Sequence, residues 1–142
     1  MKLLVFATNN AHKLEEVQQM IGEDFLLKRL DDIGCKEEIP ETGATFEENA
    51  VQKADFVYRG FKIDCFADDS GLEIEALNNE PGVYSARYSG SRDSDANLQL
   101  VLDKLKGISN RKARFRCVIA LVLNGTRHIF EGVVAATIRE DR

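Results

Sequence analysis

The 142-residue chain carries 19 Lys and Arg against 24 Asp and Glu, a formal charge of −5, with 44% hydrophobic and 30% charged residues. That balance suits a soluble globular protein of one domain, residues 1–142, and excludes the basic face that non-specific nucleic-acid binding needs. The longest uncharged apolar run, residues 117–123, is far too short to span a bilayer, and the N-terminus lacks the long apolar region of a signal peptide.

Residues 3–7 (LLVFA) read as a buried strand, and residues 12–21 as an amphipathic helix with Leu14, Val17 and Ile21 on one face. Gly22 stands where a helix C-cap often places glycine. Between strand and helix lies Thr8-Asn9-Asn10-Ala11-His12-Lys13. The first N–H groups of a helix have no intrahelical partner, and the helix dipole favours negative charge there. Lys13 adds a point charge and Asn10 adds amide donors, so the segment reads as a phosphate grip. An ordinary strand–loop–helix with a solvated lysine fits the same residues.

Residues 25–30 read as a second strand, and residues 31–43 as an irregular polar loop that holds Glu41. Thr45 and Glu48 form a capping box. The helix it opens carries Phe46, Ala50, Ala54, Val57 and Phe61 as an apolar stripe, with Asn49 and Lys53 on another face. Residues 64–67 read as a short strand running into Asp68-Asp69-Ser70-Gly71, a turn-rich acidic tetrapeptide. Residues 72–76 alternate apolar and acidic residues, as a half-buried strand does.

Ser94 and Asp95 are the expected cap of a third helix with Leu98, Val101, Leu102 and Leu105 inward. In residues 113–123, Phe115, Cys117, Ile119, Leu121 and Leu123 share one strand face, and Asn124-Gly125 signals a hairpin. Residues 127–131 and 133–138 read as returning strands with Gly132 at a bulge or bend, before a tail of Arg139, Glu140, Asp141 and Arg142. Front βα units followed by an antiparallel meander predict an α/β domain, a mixed, strongly twisted sheet flanked by helices. Cys35, Cys65 and Cys117 are odd in number and widely spaced, with no C-x-x-C. They suggest a reducing, cytoplasmic setting, with Cys65 and Cys117 as small buried hydrophobes.

Glu41, Asp68 and Asp69 offer the oxygen ligands Mg²⁺ prefers, and that ion usually binds one or two carboxylates together with substrate phosphates. A divalent ion would relieve their repulsion and neutralise a bound triphosphate. Neighbouring strand residues face opposite ways, so Asp68 and Asp69 need not share a task. A plain turn is the competing account of the tetrapeptide. Lys53 can reach phosphates or stay solvated, and Arg87 can bind phosphate or pack between aromatics. A nucleophilic triad, a P-loop and a dinucleotide fingerprint are all missing from the sequence.

Four segments together, TNNAHK (8–13), ETGATFEENAVQKA (41–54), FADDSGL (66–72) and PGVYSARY (81–88), resemble the inosine triphosphate pyrophosphatase family. The resemblance covers essentially the whole chain. It implies an elongated two-lobed fold, usually a homodimer, and Mg²⁺-dependent hydrolysis of ITP, dITP and XTP to the monophosphate and pyrophosphate. It also implies that Thr8, Asn10, Lys13, Lys53 and Ser70 contact the triphosphate, with Asn9, Ala11 and His12 in the same loop. Glu41, with Asp68 or Asp69, would hold the metal, and Asp69 would accept a proton from the attacking water. Partners would be a small nucleoside triphosphate, not nucleic acid or a membrane. Family members continue into a GFGYDP segment, a lysine and a Ser-His-Arg element that this chain lacks, so a C-terminally incomplete domain with exposed apolar surface is expected. Two competing readings are a Maf-like nucleotide pyrophosphatase, whose phosphate loop is serine-rich and carries arginine, and a non-catalytic nucleotide-binding module.

Overall fold

A computed structural model describes residues 2–140, so Asp141 and Arg142 of the tail lie outside the described residues. The elements are β1 (Lys2–Phe6), α1 (Ala11–Ile21), β2 (Phe25–Lys28), α2 (Phe46–Phe61), β3 (Cys65–Ile74), β4 (Glu80–Pro81), α3 (Ser94–Lys104), β5 (Lys112–Leu123) and β6 (Thr126–Thr137), with short 3₁₀ turns between some of them. The described strands form one sheet in the order β2-β1-β3-β5-β6, and β4 pairs with β3. β1 is parallel to β2 and β3, whereas β3 and β4 are antiparallel, so the sheet is mixed as expected. No described helix is long and apolar enough to cross a membrane.

Two compact units divide the chain. The first comprises the residues up to Gly43 with Glu47–Asp68 and Ile119–Phe130. Its core gathers Leu4, Phe6, Leu27 and Phe66, and the α1 stripe of Leu14, Val17 and Ile21 packs on them. The Phe6 and Phe66 rings stack with centroids 4.4 Å apart. Fully burying a side chain of this size contributes about 1.5–3 kcal/mol, of which the partly buried α1 stripe gains a part. α1 ends at Gly22 with φ +69°, and the Gln18 amide bonds Gly22 O, Phe25 O and Leu27 N, tying the helix to β2. Along α2, Ala50, Ala54 and Val57 are fully buried, but Phe61 at the helix end is exposed. The Cys65 Sγ donates to Ala54 O at 3.3 Å, placing α2 against β3.

The second unit comprises Ala44–Phe46, Asp69–Val118 and the residues from Glu131 onward. Ile74, Val101 and Leu105 form its core with Leu72, Leu77 and Tyr88 packed around them. Glu73 is bound by Arg114 at 2.5 Å and by Arg116 at 3.6 Å. Arg116 also bonds Glu131, which holds its guanidinium above the ordinary arginine range. α3 is capped by Asp93, whose side chain accepts from Asp95 N, and not by the expected Ser94-Asp95 pair. Leu98 of the expected stripe is exposed, and the buried position beside it is Asn97, which bonds Ser89 and Ala86 O. A polar residue can take a core position when its hydrogen bonds are met.

Three strand expectations are corrected. Asp68-Asp69-Ser70-Gly71 is not a turn, because β3 runs unbroken through it. Parallel pairing to β1 at Cys65 and Phe66, and antiparallel pairing to β4 at Glu73 and Ile74, hold both ends of the strand and override the local turn propensity. On β5 the buried residues are Val118, Ala120 and Val122, the face opposite the expected one, while Ile119, Leu121 and Leu123 cover the Phe6 cluster from partly buried positions. Both faces of that stretch are therefore covered, and alternation alone could not say which is deeper. Gly132 marks no break: β6 is continuous after the Asn124-Gly125 turn, where both residues have positive φ.

Candidate active site

The loop after β1 is organised by its own side chains. The Asn10 N–H donates to Thr8 Oγ1 at 3.1 Å, and Asn10 Oδ1 caps α1 by accepting from Lys13 N at 3.1 Å. Asn9 Oδ1 accepts from Asp31 N at 2.9 Å and ties the loop to the 3₁₀ turn Asp31–Ile33. The grip therefore differs from a bare helix start. Two of its N–H groups are already satisfied by Thr8 and Asn10, leaving those of Ala11 and His12 without an intrahelical acceptor. Asn10 keeps its Nδ2 amide as a donor. His12 is exposed on the first turn.

Lys13 is not merely solvated. Its Nζ lies 2.6 Å from Asp68 Oδ2, with 41% of the lysine side chain and 12% of the aspartate exposed, and 5.9 Å from the Phe6 ring centroid. A second pair repeats the arrangement in the same unit: Lys53 Nζ lies 3.0 Å from Glu41 Oε1, with the lysine side chain only 15% exposed. Segments 8–13 and 66–72 thus meet in the first pair, while the second lies within segment 41–54. The Lys53 ammonium, little exposed, is costly to leave unpaired, and Glu41 serves as its counter-ion, whereas Lys13 is the more exposed partner of its pair.

Asp69 and Ser70 follow Asp68 along β3, both half-buried. Strand geometry turns Asp69 to the face opposite Asp68. Beyond them the strand is held tightly. Ser85 Oγ accepts from Leu72 N at 2.9 Å and donates to Gly82 O at 2.7 Å. A Cβ at Gly71 would lie 2.5 Å from both Gly82 O and Ser85 Oγ, so only glycine permits this approach. The PGVYSARY segment thus braces the strand next to the acidic pair. Its Arg87 guanidinium sits 5.5 Å from the Tyr84 ring centroid, which favours packing on an aromatic over a phosphate role.

No group of three or more His, Cys, Asp or Glu side chains that could hold a metal is found among the described residues. None of the cysteines pairs in a disulfide among the described residues. Residues the sequence reading passed over are Gln52, Gly43 and Ser85. The signal for Gln52 was available: Asn49, Gln52 and Lys53 repeat at i, i+3 and i+4, a polar stripe beside the apolar one on α2.

The Ham1 family model matches residues 4–142 of the chain. The dITP/XTP pyrophosphatase of Flavobacterium johnsoniae is 48% identical over 140 residues, which cover 98% of this chain and 73% of that protein. That of Bacillus subtilis is 44% identical over 146 residues, covering 99% and 74%. Among solved structures, the Staphylococcus aureus Ham1 protein superposes with a TM-score of 0.91 at 37% identity, covering 98% of this chain and 73% of that one. The Mycobacterium abscessus nucleoside-triphosphatase, a dITP/XTP pyrophosphatase, gives 0.85 at 41%, covering 99% and 76%. The four-segment resemblance, the mixed α/β fold and these relatives agree, and the chain belongs to the Ham1 family.

Proposed function

We propose that this chain hydrolyses non-standard purine nucleoside triphosphates, dITP, ITP and XTP, to the monophosphate and pyrophosphate, using Mg²⁺. Relatives nearly half identical over almost its whole length act on dITP and XTP, which supports the reaction class and the base preference. The observation that carries the site reading is the pair of salt bridges, Lys13–Asp68 and Lys53–Glu41. Each couples a candidate phosphate-binding cation to a candidate metal-binding anion.

The donor set suits Mg²⁺. Glu41, with Asp68 or Asp69, offers hard carboxylate oxygens, and this ion is commonly held by one or two of them plus substrate phosphates and water. A full protein cage is therefore not needed, in keeping with the lack of a three-carboxylate cluster among the described residues. When bound, the cation would neutralise the polyphosphate and polarise a phosphoryl oxygen.

The chain's own residues then act as follows. Lys13 and Lys53 would bind substrate phosphate oxygens, and Glu41 with Asp68 or Asp69 would hold the cation, so each of these charges would keep a partner when substrate binds. Thr8, Asn9, Asn10, Ala11 and His12 bring hydroxyl, amide and N–H donors to phosphate, and Ser70 adds a hydroxyl. Asp69 accepts the proton of a water that attacks the α-phosphorus. A water oxygen–phosphorus bond forms, the bond from that phosphorus to the bridging α–β oxygen breaks, and pyrophosphate leaves. As part of the same reading, the protein works in the cytoplasm as a homodimer, with a small nucleotide and neither nucleic acid nor a membrane as its partner.

Incubation with ITP and Mg²⁺, followed by phosphorus NMR, tests the reaction. IMP and pyrophosphate are the expected products, and release of orthophosphate as the first product overturns attack at the α-phosphorus.

A further inference from the structure

We infer that Asn49 and Gln52 are positioning residues that fix the backbone beneath Glu41, so that its carboxylate is presented to the cation from a constant point. The inference rests on the reading of Glu41 as a metal ligand.

Three consecutive loop residues are fastened to one face of α2 in reverse order. Glu41 pairs with Lys53 at 3.0 Å. Thr42 N donates to Gln52 Oε1 at 2.9 Å, while Gln52 Nε2 donates to Thr42 Oγ1 at 3.1 Å. Gly43 N donates to Asn49 Oδ1 at 2.7 Å. The chain thus runs antiparallel to the helix, 41 against 53, 42 against 52 and 43 against 49. Among the described residues the preceding loop has one element of regular structure, the 3₁₀ turn Asp31–Ile33, and the bonds to α2 hold the loop where it carries Glu41.

Two further facts show that the contact is built to be close. Asn49 is 1% exposed, a polar side chain placed in a helix where burial is costly unless its bonds are met. A Cβ on Gly43 would lie 2.6 Å from Glu48 Cβ and 2.8 Å from Asn49 Oδ1, so the backbone meets the helix where no other side chain fits. Residue pairs like these act on a metal through its ligand, and their loss typically weakens metal affinity about 10–100-fold.

Gln52→Leu removes the two bonds to Thr42 at a partly exposed position and should leave the fold intact. Gln52→Glu keeps an acceptor for Thr42 N and for the Thr42 hydroxyl proton. The experiment measures three things on these variants, on Gly43→Ala and on Glu41→Gln. They are Mn²⁺ affinity by calorimetry in the presence of a non-hydrolysable ITP analogue, amide exchange at residues 42 and 43 by NMR, and the Mg²⁺ concentration for half-maximal activity. Gln52→Leu and Gly43→Ala should bind Mn²⁺ about tenfold more weakly, with faster exchange at residues 42 and 43, and Gln52→Glu should recover most of the affinity. Mn²⁺ affinity within about twofold of the parent in Gln52→Leu, while Glu41→Gln weakens it, overturns the positioning role alone. If Glu41→Gln also leaves Mn²⁺ affinity unchanged, Glu41 is no ligand and the inference falls with that reading.

Discussion

Asp69 and Cys65 occupy the same strand, yet burial gives them opposite chemistry. Asp69 is half-buried, and under the proposed mechanism its replacement by Asn should remove proton acceptance while keeping shape. General-base contributions of this kind amount to about 10²–10⁴-fold, so kcat for ITP in Asp69→Asn should fall at least a hundredfold while KM changes little. Steady-state kinetics decide it, and near-parental kcat would remove Asp69 from the chemistry. Cys65 is fully buried, and burial, then the charges of Asp64 and Asp55, pushes its thiol from 9.0 up to about 12. The folded protein therefore keeps a proton that the unfolded chain releases near the ordinary value. The stabilising contribution is complete below about pH 9 and is lost as pH rises toward 12. Urea midpoints should fall more steeply over that range in the parent than in Cys65→Ala, and iodoacetamide should spare Cys65 in the folded protein at pH 9. Equal slopes would show that the thiol is not shielded.

β3 is the element on which the site depends, and its character came from its neighbours. β3 pairs with β1 at Cys65 and Phe66 and with β4 at Glu73 and Ile74, and the stretch between, with Asp68 and Asp69, is extended strand and not turn. The Gly71 approach to Gly82 O and Ser85 Oγ locks the strand just past the acidic pair. Gly71→Ala should therefore destabilise the protein by about 1–3 kcal/mol through overpacking, and kcat should fall as well, because the strand must shift to admit the methyl group. Urea denaturation with parallel kinetics checks this, and unchanged values of both would mean the approach is loose. α2 combines two tasks on separate faces. Its apolar stripe is buried, and its polar stripe of Asn49, Gln52 and Lys53 carries the loop with Glu41.

Large apolar side chains are exposed at several places in the molecule, β6 among them. All of β6 is exposed along the edge of the sheet, including Phe130 at 55% and Val134 at 65%, with Ile129 and Val133. An exposed edge strand with apolar side chains invites pairing between chains. A chain presenting this strand should bind a hydrophobic dye and self-associate with rising concentration, and Val134→Lys should reduce both without altering the thermal midpoint by more than a few degrees. Sedimentation velocity reads the second effect, and a parent that stays monomeric at high concentration would contradict it. The proposed site likewise draws on the whole chain, since residues 8–13, Glu41, Lys53 and Asp68-Asp69 come from segments far apart in sequence.

Periodicity carried the elements: α1 with Leu14, Val17 and Ile21, α2 with Ala50, Ala54 and Val57, and the Asn124-Gly125 hairpin are short-range patterns that local geometry enforces. The four segments carried the family and the candidate residues, because each chemical role is written in residue type and order. Pairing was not written there. A string of residues cannot say that Lys13 meets Asp68, that Lys53 meets Glu41, or that Asp68-Asp69-Ser70-Gly71 is strand and not turn. Those outcomes depend on strands and loops brought together from distant positions, where the burial of charge and the register of the sheet outweigh the preference of any single residue.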